Sequence, residues 1–462
     1  MMISRSNELT RRALFRRMAG LAAMGVGAPL ALNLAGFGEA AAFNATDYKA
    51  LVCVFLQGGN DHANTVVPYD ASNYALYSTI RDSLAYNRSD LSATVLSSGQ
   101  TLTDNLQYAL APELDGMAGL FGLGKLGVLL NVGTLSAPTT LSQYQSSNRA
   151  ANPLPPKLFS HNDQMSVWET FVSDGATTGW GGKMGDLALS GNGNSMLTCI
   201  SAAGNAVMMS GANALQYQIS PSGAVPVFGL QNKIFNANSV GSALQTLISQ
   251  TSGNVFEDEY ARVTRRSISL QGVVSQALAP VSLTTTFGSD TLAAQLKVVA
   301  QLIGARQALG MTRQVFFVSL GGFDTHDSLA VDHPILMGKL DTAMSAFYAA
   351  TVELGVADKV TTFTASDFGR TLTSNGDGSD HGWGGHHFVM GGAVQGGQFY
   401  GTAPHVSITS DDQVGQGRLL PSTAVDQMAS TLGRWFGVAD SEMATVVPNI
   451  GRFATANIGF MG

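Results

Sequence analysis

The sequence predicts an α/β fold, a largely parallel sheet with helices on its faces. Continuous apolar runs of strand length, rich in β-branched residues, alternate with longer stretches of helical period. The clearest runs end in Gly-Gly or in a short polar segment, as strands covered on both faces do where they give way to a turn.

The first 42 residues precede this pattern. A basic stretch, Thr10-Arg11-Arg12-Ala13-Leu14-Phe15-Arg16-Arg17, leads into an Ala/Gly/Leu/Met-rich run that closes on Ala40-Ala41-Ala42. A charged region, an apolar region and small residues at a cleavage point predict a signal peptide of twin-arginine type, cut after Ala42. Gly20, Gly25, Gly27, Pro29, Asn33 and Gly36 dilute the apolar run and argue against a permanent membrane anchor. The chain is expected to meet the twin-arginine translocase and a signal peptidase. It is then expected in the periplasm, at the cell surface or outside the cell, with no stable membrane anchor after cleavage.

Residues 43–462 read as one domain. Lys49–Gln57, KALVCVFLQ, is the first strand, and similar runs recur at 126–132, 314–320, 359–365 and 387–390. Apolar residues spaced by three and four predict helices over Val255–Leu278, 290–309, 334–354 and 423–436. The stretch 185–253 is rich in Ser, Asn, Gly and Ala and lacks a long helix, and is expected as an insertion or cap lying over the sheet. Cys53 and Cys199 each lie inside an apolar run, which points to buried thiols.

Charge narrows the partners. The chain has 25 Lys+Arg against 32 Asp+Glu; removing the five arginines and two glutamates of residues 1–42 leaves 20 against 30, a net charge of −10. Nucleic acid is excluded as a partner, because neutralising phosphates takes a basic surface.

Polar residues gather where strands end, which is where open parallel sheets bind ligands. The first strand runs into Gly58-Gly59-Asn60-Asp61-His62, the third into Gly321-Gly322-Phe323-Asp324-Thr325-His326-Asp327, and the fourth into Ser366-Asp367-Phe368-Gly369-Arg370, followed by Asp380-His381 and His386-His387. Five of the eight histidines fall in these segments. Carboxylates and imidazoles converging from separate strands suit a divalent metal, one ion or two, with zinc, manganese, magnesium and calcium not distinguished. Each segment also fits a structural role taken alone: a Gly-Gly turn shaped by Asn60 and Asp61, a helix cap at 324–327, a solvated Gly/His loop at 381–387.

Phe55-Leu-Gln-Gly-Gly-Asn-Asp61, Ser160-His161-Asn-Asp-Gln-Met-Ser-Val-Trp168-Glu169, Gly179-Trp180, Gly321-Gly-Phe-Asp324-Thr-His326 and the segment from Ser366 to His387 together resemble an exported bacterial family, domain of unknown function 1501. That family is regarded as related to the alkaline phosphatase and sulfatase superfamily, and the resemblance implies its doubly wound α/β fold and divalent metals. By resemblance, Asp61, Asp324, His326, Asp367 and His386 or His387 are the implied metal ligands, with His381 standing in for a ligand lost at Phe368. Ser160, opening a helix, is the implied nucleophile, and Arg370 is positioned to clamp an anionic group. Neither cysteine has the Pro and Arg spacing of a formylglycine site, and Ser136-Ala-Pro138-Thr-Thr140 lacks the arginine, so a formylglycine sulfatase is not expected. The expected function is an exported metal-dependent hydrolase of phosphate or sulfate esters, with an anionic ester as substrate. The alternative is a non-catalytic exported binding or assembly protein with at most one structural metal.

Overall fold

The computed structural model describes residues 47–172, 175–226, 230, 237 and 239–462. The signal peptide expected at 1–42 lies outside these residues. The described strands are β1 (Lys49–Gln57), β2 (Val66–Pro68), β3 (Tyr108–Leu110), β4 (Leu126–Gly133), β5 (Cys199–Ser201), β6 (Gln216–Gln218), β7 (Arg313–Gly321), β8 (Val360–Ser366), β9 (Gly385–Gly391), β10 (Phe399–Tyr400) and β11 (Thr423–Ala424). Nine of them form one sheet in the order β10-β4-β9-β8-β1-β7-β5-β6, with β11 also on β4; β2 and β3 form a separate antiparallel pair.

The sheet is mainly parallel, and β1 sits inside it with β7 on one side and β8 on the other. Its alternation explains the unbroken apolar run. Ala50, Val52, Val54 and Leu56 face a core that includes Leu292, Leu296, Met337 and Phe347 from the helices Thr291–Gly304 and Leu329–Glu353. Leu51, Cys53 and Phe55 face a second core with Trp180, Met184, Met428 and Leu432 from the helices Trp180–Ala188 and Val425–Phe436. Helices therefore cover both faces, as the sequence predicts.

Three features differ from expectation. Among the described strands of the main sheet β9 alone is reversed, pairing antiparallel with both β4 and β8. The stretch 185–253, expected to lie over the sheet, instead contributes β5 and β6, which extend its edge in parallel from β7. The helix expected from 334 begins at Leu329, a turn before Pro334, with the Leu329 N–H donating to the Asp377 carbonyl outside the helix. Cys53 and Cys199 are buried free thiols. No helix among the described residues is long and apolar enough to cross a membrane.

Candidate metal centre

The register of the central strands sets Gln57 beside Gly321 and Leu56 beside Ser366, so the polar segments after β1, β7 and β8 leave the sheet side by side. Gly58 makes a close junction between the first of these segments and the other two. Its φ is +113°, its N–H donates to Asp367 Oδ2 at 3.3 Å, and a Cβ there would lie 2.4 Å from the Asp324 nitrogen. Only glycine accommodates both that conformation and that approach.

At this end of the sheet His161, Asp324 and His381 converge, with one ligand atom of each lying within 4.8 Å of the others; among the described residues they are the His/Cys/Asp/Glu group with the spacing to hold a metal ion. His381 Nε2 lies 3.0 Å from His161 Nε2, 2.8 Å from His326 Nε2 and 3.2 Å from Asp324 Oδ1. Asp324 Oδ2 is 3.4 Å from His161 Nε2. His326 flanks the group, 3.2 Å from Asp324 Oδ1 and, through Nδ1, 3.4 Å from Asp380.

The outer hydrogen bonds fix which atoms face inward. His381 Nδ1 donates to the Phe159 carbonyl at 2.7 Å, so the neutral ring turns the lone pair of Nε2 toward the group. Phe159 reaches that carbonyl position with a φ of +71°, a costly conformation for a bulky residue. His161 Nδ1 donates to Asp367 Oδ2 at 2.7 Å, which likewise aims its Nε2 inward. One lone pair on His381 accepts at most one strong hydrogen bond, yet two imidazole nitrogens and a carboxylate oxygen surround it. A shared proton or a cation relieves this crowding of acceptors. The buried Oδ1 of Asp367 adds an acceptor with no hydrogen-bond partner among the described residues. Two nitrogens and a carboxylate oxygen with oriented outer partners fit a divalent ion.

The electrostatics favour ionised Asp324 and neutral His381, and they favour a proton on His161 that an ion would have to displace. The hydrogen bond to Asp367 raises the His161 pKa above its ordinary value against the effect of burial. Burial lowers that of His381 and favours its neutral form. Burial would raise Asp324, but the hydrogen bond and charge of Arg370 outweigh it and hold the carboxyl below the usual range. Glu169, near Asp367, is pushed up to about 7 by burial, so a proton sits behind the group close to neutrality. The Phe368 ring lies 4.7 Å from the rings of both His161 and His381 and walls the site on one side.

The predicted residues divide. Asp324, His326 and His381 are brought together, with Asp367 one hydrogen bond behind. Asp61 is not part of the group: it is buried, Oδ1 accepts the Ala63 and Asn64 N–H groups, and Oδ2 accepts Arg81 at 2.5 Å and the Ser379 hydroxyl at 3.2 Å. Those four bonds use its acceptor sites. His386 and His387 are also elsewhere, pointing to opposite faces of β9. His386 packs against His62 and Tyr108 and accepts the Asn131 N–H on Nδ1, whereas His387 packs on Trp168. Burial keeps both neutral, His387 with a pKa lowered to about 3.

Arg370 is no open clamp. It is buried, Nε donates to the Ser379 carbonyl and hydroxyl, one terminal nitrogen to Gly58 O and Asp324 Oδ1 at 3.0 Å each, and the other to the Ser379 carbonyl. It positions Asp324. Ser160 stands at the N-cap of the helix His161–Thr170, but its hydroxyl donates to Asp163 Oδ2 at 2.7 Å. The residue missed by sequence reasoning is His161, although it lies in a segment that carried the family resemblance. The available signal was a histidine at the first position of a helix directly after the proposed nucleophile.

Close packing of the two strand connections makes a local prediction. A Cβ on Gly369 would lie 2.1 Å from the Gly384 carbonyl oxygen and 2.8 Å from His62 Nδ1. Gly369→Ala is expected to push the segment bearing Asp367 and Arg370 off 382–385, at a cost of about 1–3 kcal/mol. An unchanged urea midpoint for this variant would contradict the packing described.

In sequence, a family profile described as protein of unknown function (DUF1501) matches residues 48–450. No curated protein matches the chain. Among solved structures it is similar to Ps i-CgsB in complex with k-i-k-neocarrahexaose, at 9% identity and a TM-score of 0.37 over 89% of this chain and 78% of that one. It is also similar to the PsFucS1 sulfatase from Pseudoalteromonas sp., at 11% identity and 0.31 over 88% and 75%, and to a mutant of alkaline phosphatase PafA, at 12% and 0.28 over 71% and 64%. These likenesses are remote. The profile match spans nearly all of the described chain: the protein belongs to the DUF1501 family.

Proposed function

We propose that this protein is an exported metal-dependent hydrolase of phosphate or sulfate esters, carried to the periplasm or beyond by its twin-arginine signal. The observation that carries the reading is the convergence of His161, Asp324 and His381 at the carboxyl ends of the central strands. These three would hold a divalent ion, with His326 and Asp367 beside it. When bound, such an ion stabilises charge developing on a transferring phosphoryl or sulfuryl group. Asp367 and the Phe159 carbonyl keep the two imidazoles in the tautomers that bind, and Arg370 holds Asp324 ionised. Phe368 excludes water from one side of the group.

Purified protein is expected to carry at least one divalent ion per chain by elemental analysis. His161→Ala and His381→Ala should each strip it, while His387→Ala leaves it bound; a folded protein without ion overturns the reading. Turnover of phosphate and sulfate esters by the loaded protein then separates hydrolase from binding protein. Specific observations favour the second reading, an exported binding or assembly protein. The Ser160 hydroxyl is held by Asp163, and the donors of Arg370 are held by protein acceptors.

A further inference from the structure

The helix Val255–Leu278 carries one apolar stripe with two fates. Steps of four and three run from Phe256 through Tyr260, Val263 and Ser267 to Leu270, Val274 and Ala277, the spacing of a coiled-coil seam. The second half of the stripe, from Leu270 onward, is buried in the core beneath the sheet. The first half is not: Phe256 is 86% exposed, Tyr260 69% and Val263 50%. Leu247, on the preceding helix Ser239–Ser249, is 69% exposed as well. Between the two helices lies a groove of about 530 Å³, with Leu247, Ile248, Phe256, Tyr260 and Ala261 in its walls. These side chains offer on the order of 400 Å² of apolar surface in one patch, more than a solitary chain usually leaves to water.

Charge on the flank of the exposed half selects the partner. With the stripe at the a and d positions of a heptad, Glu259 and Arg266 both fall at g, one heptad apart. In an antiparallel pair of helices g faces g, so Glu259 of one copy meets the partner's Arg266, and a two-fold axis repeats the pair at the other end. The same register sets Tyr260 against the partner's Val263. A parallel pair would instead set both charges against the uncharged Thr264 and Gln271. Arg262 takes one site on each Glu259 oxygen, at 2.7 and 2.5 Å, and leaves acceptor capacity on both. A membrane surface fits less well, because Glu257, Asp258 and Glu259 crowd the tip of the helix and anionic headgroups would repel them. We infer that a second copy of this chain docks on this face, the two helices antiparallel about an axis between residues 261 and 262. The apolar patch is about half the area of a standard interface, so the dimer is a weak one with a Kd in the micromolar range. This inference goes beyond the hydrolase reading and stands without it.

The test is analytical ultracentrifugation of the full-length protein, with urea denaturation to show that each variant is folded. Wild type is expected to pass from monomer to dimer across the micromolar range. Tyr260→Arg, at an exposed position, should leave the urea midpoint unchanged and abolish the dimer. Arg266→Glu sets two carboxylates together at each end, and Glu259→Arg two cations; each is expected to weaken self-association about tenfold. An equimolar mixture of these two variants should restore it, because every g pair in the mixed dimer is again of opposite charge. That rescue is a result which loss of folding does not imitate. A wild-type chain that stays monomeric into the sub-millimolar range overturns the inference, and so does a dimer that survives Tyr260→Arg. Single variants that weaken the dimer without rescue on mixing overturn the antiparallel pairing. A monomer that floats with phosphatidylglycerol vesicles and is released by Tyr260→Arg assigns the face to a membrane surface instead.

Discussion

Replacing Arg81 by methionine is expected to lower the unfolding free energy by about 3–5 kcal/mol at neutral pH, the loss that follows when a buried charge is left without its partner. Arg81 and Asp61 are fully buried and 2.5 Å apart, and the other terminal nitrogen of Arg81 donates to the carbonyls of Thr371 and Leu372. Burial alone would raise the Asp61 pKa, but Arg81 foremost, with His333 and His62, brings it down to about 2. An acid whose folded pKa lies below its unfolded value near 3.9 contributes stability at pH above about 4 and loses it as pH falls toward 2. The deficit of Arg81→Met is therefore expected to be largest at neutral pH and to shrink on acidification, read as urea denaturation at pH 7 and pH 3. Asp61→Asn should retain the metal that His161→Ala loses. Loss of the ion from Asp61→Asn, or a deficit for Arg81→Met below about 1 kcal/mol, contradicts the structural role of this pair.

Asp426→Asn is expected to act in the opposite direction. Asp426 lies in the first turn of the helix Val425–Phe436 in the core; it is 2% exposed, and its Oδ1 has no hydrogen-bond partner among the described residues. Burial pushes its pKa up to about 7, against smaller effects of backbone hydrogen bonding, Asn449 and Arg452. Between about pH 4 and pH 7 the native state keeps a proton that the unfolded chain has released, so stability falls as pH rises through that window. At about 1.4 kcal/mol per pH unit the full cost at pH 8 is at most about 4 kcal/mol. Asparagine has no proton to lose. The variant should gain about 2 kcal/mol or more at pH 8 and nothing at pH 4; a gain independent of pH would show that Asp426 is not the group titrating.

The layers of the fold were legible because β1, β7 and β8 are buried on both sides, which forces unbroken apolar runs such as KALVCVFLQ. The direction of β9 was not, because an apolar run has no sign: it pairs equally well either way round. Three of the site residues, Asp324, His326 and His381, could be read from turns that follow strands or lie in their connections. His386 and His387 show where residue type misleads. One or the other was expected as a ligand, but both lie within β9, buried on its two faces, so neither reaches the group at the end of the sheet. Asp61 looked like a ligand because its partner, Arg81, lies in the helix Ala71–Arg81, where nothing in the sequence marks an arginine as buried. His161 was missed because its value depends on Asp367, 206 residues away, and sequence spacing carries no trace of such a contact.

The reversal of β9 also sets an order of events during folding. Since β9 returns along β8, the connection between them starts and finishes at the same end of the sheet, and Asp367 and His381 are joined by closing a short loop. Asp324 arrives with β7, which is joined to β8 only through β1, a strand from the start of the domain. His161 must arrive from the other half of the protein, and contacts of such long range are the slow ones. The centre thus has only Asp367 and His381 joined locally and waits both for β1, which brings Asp324 alongside, and for His161, so its competence reports that the two halves of the chain have come together.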